Sequence, residues 1–166
     1  GFSDSSKNLI VNNGTLTITG DGTFDATEAT SYKGFINNYG TLTVENGTFQ
    51  IADKAMTVHL RNQDAGKAVI NGGTFSGGAT IVRSFEGSNT TITGGSFTNS
   101  VYPAVDVNGE TLITGGIFTN TSCSRCDSQN WGYTVRSGVD NDPDAKLTIT
   151  PSSEGSVVVT GTQGAL

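Results

Sequence analysis

The sequence predicts an all-β domain, a solenoid of about six coils with three short strands in each, over residues 1–166. Two observations predict it. A phrase of sequence typified by "TTITGGSF" recurs at intervals of 25, 26, 22 and 21 positions, and no window has an apolar period of 3.6 residues. Intervals of that length are typical of a solenoid whose unit is one turn of chain. The five copies end at Phe24, Phe49, Phe75, Phe97 and Phe118.

The first strand of each coil is a threonine-rich run with an apolar residue five positions before the phenylalanine. The neighbours of that residue are mostly polar, as Thr91 and Thr93 are around Ile92. This alternation is the pattern of a half-buried strand. The equivalent apolar residues are Val44, Ile70, Ile92 and Ile113, and Ile18 matches if one inserted residue is allowed.

The second strand begins at the phenylalanine, after a tight turn. In a sixth, degenerate copy, "KLTITPSSEGSVVV", Val157 takes the place of the phenylalanine. A backbone position with positive φ would explain why the turn contains a glycine in every copy. These glycines are Gly22, Gly47, Gly73, Gly95, Gly116 and, in the sixth copy, Gly155.

The third strand precedes the phrase and is a β-branched, alternating run that usually ends in Asn and Gly, as in "NLIVNNG". We expect asparagines at these corners to form hydrogen-bonded ladders between coils. The candidates are Asn12, Asn13, Asn37, Asn38 and Asn108. Strand edges at the two ends of a solenoid need covering. We therefore expect a segment of a larger protein, or a partner in an oligomer whose state stays open.

Coil length, stacked Ile, Val and Phe positions and Asn-rich corners resemble a right-handed, single-stranded parallel β-helix of the pectin-lyase type. The wording of "GTLTVENGTF" is similar to repeats in bacterial secreted or wall-attached surface proteins of the adhesin type. The resemblance covers nearly the whole chain and implies an extracellular, secreted or cell-surface protein. It does not name an activity, because this fold hosts lyases, hydrolases, adhesins and phage tailspikes.

Composition narrows the function classes. The net charge is −6 with nine Lys and Arg residues, which argues against binding to the nucleic-acid backbone. No run approaches the roughly 18 apolar residues of a membrane helix, so no membrane insertion is expected. The cysteines of "CSRC", Cys123 and Cys126, favour a local disulfide in an extracellular setting. A redox pair and half of a zinc site are the alternatives.

A group of charged residues in the third strands predicts a strip for an anionic ligand. The arginines follow an apolar residue at a similar place in their coils and could form one outward column, with Asn108 between the second and the third. Guanidinium groups match carboxylates and sulfates, as found in acidic sugars. The alternative is that they keep an acidic protein soluble. The candidates are Arg61, Arg83 and Arg136, with His59 and Asp106 beside them.

The fifth unit carries an insertion, "TNTSCSRCDSQNWGY". Loops on a rigid scaffold commonly carry binding residues, and Trp131 and Tyr133 suit stacking on sugars or contact with a protein. The alternative is a disulfide-stapled loop with Trp131 packed on the solenoid.

The sixth unit contains "DNDPDAK", in which Asp140, Asp142 and Asp144 alternate as oxygen ligands of Ca²⁺ often do. Ala145 stands where a helix–loop–helix calcium loop has glycine, and no glutamate follows at its twelfth position. An acidic turn without calcium is therefore the alternative.

Taken together, the sequence favours a non-catalytic adhesion or ligand-binding module whose ligand is a glycan or a host surface protein. The first alternative is a polysaccharide lyase or hydrolase, since the resemblance implies calcium-binding carboxylates with a basic residue, or clustered aspartates, on an outward face. The outward positions of the first strands offer one acid, Glu45, and not the carboxylate pair of glycosidic chemistry.

The second alternative is an ice-binding solenoid, because Thr-x-Thr pairs on regular coils can form a flat threonine array. The pairs are Thr17/Thr19, Thr91/Thr93 and Thr148/Thr150. A charged residue in the middle of such an array should spoil its match to ice. The interruptions are Glu45, Val69, Asn71 and Leu112.

Overall fold

The computed structural model describes residues 9–28, 34–52, 57–98, 100, 104–113, 115–119, 147–151 and 156–161. These residues contain strands and no helix, so none of them belongs to a helix that could cross a membrane. The strands are β1 (Ile10–Asn12), β2 (Thr15–Ile18), β3 (Thr23–Ala26), β4 (Ile36–Asn38), β5 (Thr41–Val44), β6 (Thr48–Ile51), β7 (Val58–Asn62), β8 (Lys67–Ile70), β9 (Thr74–Ser76), β10 (Thr80–Ser84), β11 (Asn89–Ile92), β12 (Ser96–Thr98), β13 (Val105–Val107), β14 (Glu110–Ile113), β15 (Gly115–Thr119), β16 (Leu147–Pro151) and β17 (Ser156–Gly161).

The strands wind into three stacked sheets. Every third strand pairs in parallel, so that the first sheet has the order β1-β4-β7-β10-β13 and the second β2-β5-β8-β11-β14. The third sheet continues β3-β6-β9-β12-β15 into β17 and β16. This arrangement confirms the predicted parallel β-solenoid with three strands per coil, which makes about four turns. A right-handed winding is expected from the preference of parallel crossover connections for that hand.

The sixth copy of the phrase does not form a sixth coil. Strands β16 and β17 pair antiparallel with each other, and β17 pairs antiparallel with β15. Val157 pairs with Phe118, as expected of the residue that replaces phenylalanine in the sixth copy. However, β17 runs antiparallel to β15 instead of parallel to it. Residue types and alternation do not specify the direction of a strand, so the match of this segment to the repeat did not predict the antiparallel pairing.

Columns of apolar side chains fill the interior, and two of them come from the repeated phrase. In the third sheet the rings of Phe24, Phe49, Phe75, Phe97 and Phe118 stack with centroids 4.9, 4.6, 5.2 and 4.7 Å apart. In the second sheet Ile18, Val44, Ile70, Ile92 and Ile113 align one above another, and all are buried. Each coil therefore presents the same apolar shape to the next coil, as the repeat predicted.

The turn glycines behave as predicted in four coils. Gly47, Gly73, Gly95 and Gly116 have φ between 100° and 122°. Gly22 does not have positive φ, and Gly20 has a φ of 89° in its place. The first copy holds one extra residue, which moves the left-handed position within the turn.

The corner between the first and second sheets contains a ladder of buried amides. Asn12 Nδ2 donates to Asn38 Oδ1 at 2.7 Å, and Asn38 Nδ2 donates to Asn62 Oδ1 at 2.8 Å. Asn62 then donates to Thr90 Oγ1 at 2.9 Å, where hydroxyl groups continue the ladder. The expected ladder is thus present but built differently. Asn13, Asn37 and Asn108 lie outside it, because they flank the inward position along the chain.

Candidate ligand-binding strip

Two columns of side chains run along the outer face of the first sheet. Strand register aligns the arginine column, which consists of Val11, Asn37, Arg61, Arg83 and Asp106. Backbone hydrogen bonds from each corner residue to the coil before it align the aromatic column, which consists of Asn13, Tyr39, Gln63, Phe85 and Asn108. We call the two columns together the outer strip.

The structure brings together part of the predicted anionic-ligand group. Arg61 and Arg83 are paired neighbours in the arginine column. Asp106 follows Arg83 in the same column, whereas the sequence placed it beside the column and put Asn108 there. The difference arises because Val105 aligns with Val82, so the residue after it takes the outward place.

Charge is unevenly paired within the arginine column. Arg83 Nε lies 3.1 Å from Asp106 Oδ2, but the geometry makes this an ion pair rather than a directed hydrogen bond. Among the described residues no carboxylate forms an ion pair with Arg61, and its Nε is buried without a hydrogen-bond acceptor. Of the two neighbouring cations, only Arg83 therefore has an ion-pair partner among the described residues.

Phe85 of the aromatic column contacts both guanidinium groups. Its ring centroid lies 5.0 Å from Arg83 Cζ and 5.8 Å from Arg61 Cζ, within the range of a cation–π interaction. The negative ring face offsets part of the repulsion between the two cations. Phe85 thus holds two like charges on adjacent coils close together.

The stem of Arg61 is positioned by the coil before it. A Cβ atom at Gly34 would lie 3.1 Å from Arg61 Cγ and 2.9 Å from the carbonyl oxygen of Val58. The absent side chain therefore leaves the space in which the arginine stem lies. Burial, and then the nearby charge of Arg83, lower the pKa of Arg61.

The N-terminal half of the outer strip is neutral. Gln63 Nε2 donates to Asn37 Oδ1, and Asn37 Nδ2 donates to the Tyr39 hydroxyl at 3.1 Å. The Tyr39 side chain is 47% exposed and Val11 is 53% exposed. A ligand on this face would meet aromatic and amide groups on one side and guanidinium groups on the other.

His59 lies in the core and not beside the arginines at the surface. It is 1% exposed, its Nε2 lies 3.1 Å from the carbonyl oxygen of Gly77, and its ring contacts Phe35 and Phe75. Burial lowers the pKa of His59 to about 4. The outward placement failed because the residues that begin β7 and β10 are buried consecutively, so strict alternation does not hold there.

The other predicted site residues lie outside the described residues. They are Arg136, Trp131, Tyr133, Cys123, Cys126, Asp140, Asp142 and Asp144. Within the described ranges no group of three or more His, Cys, Asp or Glu side chains could hold a metal ion. Calcium at the aspartates and the disulfide therefore stay predictions.

Sequence reasoning missed Tyr39, Gln63 and Phe85. All three are the residue directly after the inward corner position, which is Asn38, Asn62 or Ser84. The corners that begin at Gln63 and Phe85 are longer than the others, with four residues between strands instead of two. Aligning the ladder residues first would have found the column, because its members follow them by one position.

The outer face of the second sheet carries the threonines that suggested ice binding. The register gives a column of Thr17, Thr43, Val69, Thr91 and Leu112, so the expected interruptions fall inside the array. Asn71 also bonds to both carboxylate oxygens of Glu45 on the coil before. Strand β16, which holds the third predicted pair, belongs to the third sheet.

Comparisons with protein-family models, with curated proteins and with solved structures found no match. The assignment of the parallel β-solenoid therefore rests on the strand pairing itself. A fold of this kind does not specify an activity, so function has to be argued from the side chains of the outer strip.

Proposed function

We propose that this domain is a non-catalytic binding module of a bacterial secreted or cell-surface protein, and that its outer strip holds an acidic glycan. The observation that carries the proposal is Arg61. It is a half-buried cation without a described carboxylate partner, 5.8 Å from the ring centroid of Phe85 and beside Arg83 on the adjacent strand. A buried charge is costly unless it is paired, so a ligand that brings the missing anion is favoured.

The neighbouring groups favour a sugar. The aromatic rings of Tyr39 and Phe85 can stack on the apolar face of a pyranose ring. The hydroxyl of Tyr39 can in addition form a hydrogen bond with a sugar hydroxyl. Asn37 and Gln63 carry amide donors and acceptors that suit hydroxyl groups. The two aromatic residues are two coils apart, roughly 10 Å along the axis, which is enough for two sugar units.

The extracellular part of the proposal is supported by the sequence. The likeness of "GTLTVENGTF" to repeats of wall-attached proteins favours an adhesin-like role within a pectin-lyase-type β-helix. Trp131 and Tyr133 of the insertion stay a predicted second contact, and Ca²⁺ at Asp140, Asp142 and Asp144 stays a predicted accessory ion.

A glycan array of neutral, carboxylated and sulfated oligosaccharides tests the proposal, with a Tyr39→Ala variant beside the wild type. The matched control is Thr41→Ala, which trims an exposed residue of the same coil on the second sheet. We expect acidic glycans to bind the wild type and the control, and to bind Tyr39→Ala more weakly.

If the wild-type protein bound no glycan on the array, the proposal would be wrong. A pull-down that captured one host surface protein instead would favour the protein-ligand alternative. Release of unsaturated or reducing ends from an acidic polysaccharide would favour the enzyme, and thermal hysteresis in a freezing-point assay would favour ice binding.

A further inference from the structure

We infer that Arg61 and Arg83 form a cradle for a single carboxylate or sulfate group, and that Asp106 is an internal competitor for it. This inference deepens the proposed function and rests on it for the biological ligand. The cradle itself is argued from charge and geometry and can be tested without a glycan.

The spacing of the two cations suits a single anionic group. Arg61 and Arg83 are direct Cα partners on adjacent strands, about 4.8 Å apart, and their guanidinium carbons lie 5.8 and 5.0 Å from the ring centroid of Phe85. A carboxylate or sulfate is wide enough to accept hydrogen bonds from two such groups at once. One anionic group between them would remove the repulsion that the pair now carries.

Both arginines also carry an Nε–H donor that lacks an acceptor among the described residues. The Nε atoms of Arg61 and Arg83 are both buried, and neither donates a hydrogen bond to any residue in the described part of the chain. A donor shielded from water and left without an acceptor costs free energy, and a hydrogen bond in such a setting is stronger than one in water. A ligand oxygen that enters between the side chains gains from both effects.

The charge of the two arginines and Asp106 contrasts with the charge of the rest of the molecule. The chain carries a net charge of −6, so its overall field repels anions. Arg61, Arg83 and Asp106 together carry a charge of +1, because two guanidinium groups face one carboxylate. An anion that binds here is held by local contacts and not by the field of the whole protein.

Asp106 weakens the cradle because it holds Arg83 from the next coil. Its carboxylate lies 3.1 Å from Arg83 Nε, and both side chains are partly exposed, at 26% for Asp106 and 40% for Arg83. A ligand anion must share Arg83 with this group or displace it. Neutralising Asp106 should therefore strengthen anion binding, although the rest of the strip is unchanged.

The experiment compares two matched pairs of variants by calorimetry against dextran sulfate, polygalacturonate and neutral dextran. Arg61→Gln is paired with Lys67→Gln, which removes one positive charge from the same coil on the exposed face of the second sheet. Asp106→Asn is paired with Glu110→Gln, which removes one negative charge from the neighbouring strand of the same coil.

We expect Arg61→Gln to weaken binding of the acidic polymer by about tenfold or more, the effect of losing charge-assisted hydrogen bonds. Asp106→Asn should strengthen it severalfold. Lys67→Gln and Glu110→Gln should each change it by about twofold or less, since exposed charges at this distance are screened by salt. Preference between the two polymers identifies sulfate or carboxylate as the source of the anion.

A second measurement separates the cradle from the glycan. The Nε–H resonances of Arg61 and Arg83 are followed by NMR while inorganic sulfate is added, with Arg61→Lys as a variant that keeps the charge but loses the planar fork. We expect saturable shifts at both arginines in the wild type, stronger binding in Asp106→Asn and weaker binding in Arg61→Lys.

Each possible outcome supports or refutes either the cradle or the glycan ligand. Equal losses in Arg61→Gln and Lys67→Gln, or equal gains in Asp106→Asn and Glu110→Gln, would mean that only net charge matters and would refute the cradle. Sulfate shifts without binding of any polysaccharide would keep the cradle and refute the glycan ligand. Polysaccharide binding without shifts at the arginines would do the reverse.

Discussion

The two faces of the first sheet differ in how closely each coil copies its neighbour. On the inner face, the column of Ile36, Leu60, Val82 and Val105 changes only among aliphatic residues. On the outer face, the same strands place an amide, two guanidinium groups and a carboxylate in one column. Inside, every side chain must fit the one above it about 4.8 Å away, whereas outside only solvent or a ligand limits the choice.

The two faces show which positions of a repeat protein are free to serve a ligand. Repetition marks positions that serve the stacking of coils, and it says nothing about a ligand. Departures from repetition on the outer face are free of that constraint. The predictions below test whether inner substitutions affect stability and outer ones affect binding.

The largest effect is expected from Phe75→Ala. Phe75 is 2% exposed and stacks between Phe49 and Phe97, so its loss opens a cavity that rigid neighbouring coils cannot close. We expect the free energy of unfolding to fall by about 3–5 kcal/mol. Urea denaturation measures it. Thr74→Ala, an exposed change on the same strand, is the control and should cost under about 1 kcal/mol.

A smaller loss is expected from Asn38→Ala at the centre of the amide ladder. Asn38 is fully buried, accepts from Asn12 and donates to Asn62, and the change leaves Asn62 Oδ1 without that donor. The expected loss is about 2–4 kcal/mol, because a buried group left unpaired costs its desolvation. Asn13→Ala is the control at the same corner, and a comparable loss there would show that the ladder is not the cause.

The pH dependence of stability tests the interior position of His59. Its pKa is about 4 in the folded protein against an ordinary 6.5, so the unfolded chain binds the proton more readily. Above pH 6.5 both states hold neutral histidine and no difference arises. As the pH falls from 6.5 towards 4, we expect up to about 3 kcal/mol of stability to be lost on this account.

The measurement is the unfolding free energy of the wild type and of His59→Leu across that pH range. His59 is the sole histidine of the chain, so the difference between the two curves isolates its titration from that of the carboxylates. Parallel curves would mean that His59 is not held neutral in the core.

The inner columns could be predicted from the sequence because each rests on a short, regular count. Ile92 and Phe97 fall five residues apart in a phrase that is nearly constant, so their stacking on Ile70 and Phe75 follows from the period alone. The sixth copy misled because its residue types match the repeat, and residue types do not specify whether a strand pairs in parallel or antiparallel.

The outer strip was predicted only in part because the number of residues between its members and the repeated phrase varies from coil to coil. Arg61 and Arg83 align since 22 positions separate them, the same interval as between Phe75 and Phe97. Phe85 escaped notice because it lies in a lengthened corner, where alternation along the strand no longer tells which way a side chain points.

The smallest effect on stability is expected from Arg61→Gln, on the outer face. Arg61 forms no described ion pair, and burial already disfavours its charge, so a neutral side chain of similar shape loses little. We expect the free energy of unfolding to change by about 0.5 kcal/mol or less, in either direction. Thermal and urea unfolding measure it beside Lys67→Gln.

That small change gains meaning beside the expected loss of anion binding. Replacing a residue that serves the fold should lower both the stability of the protein and its anion binding, as we expect for Phe75. Replacing a residue that serves only ligand binding should weaken anion binding and leave the stability of the protein unchanged. A stability loss of several kcal/mol in Arg61→Gln would therefore mean that Arg61 serves the fold. In that case contacts within the protein would outweigh the repulsion between the two arginines and the cost of their unpaired Nε–H donors, and the case for the cradle would fail.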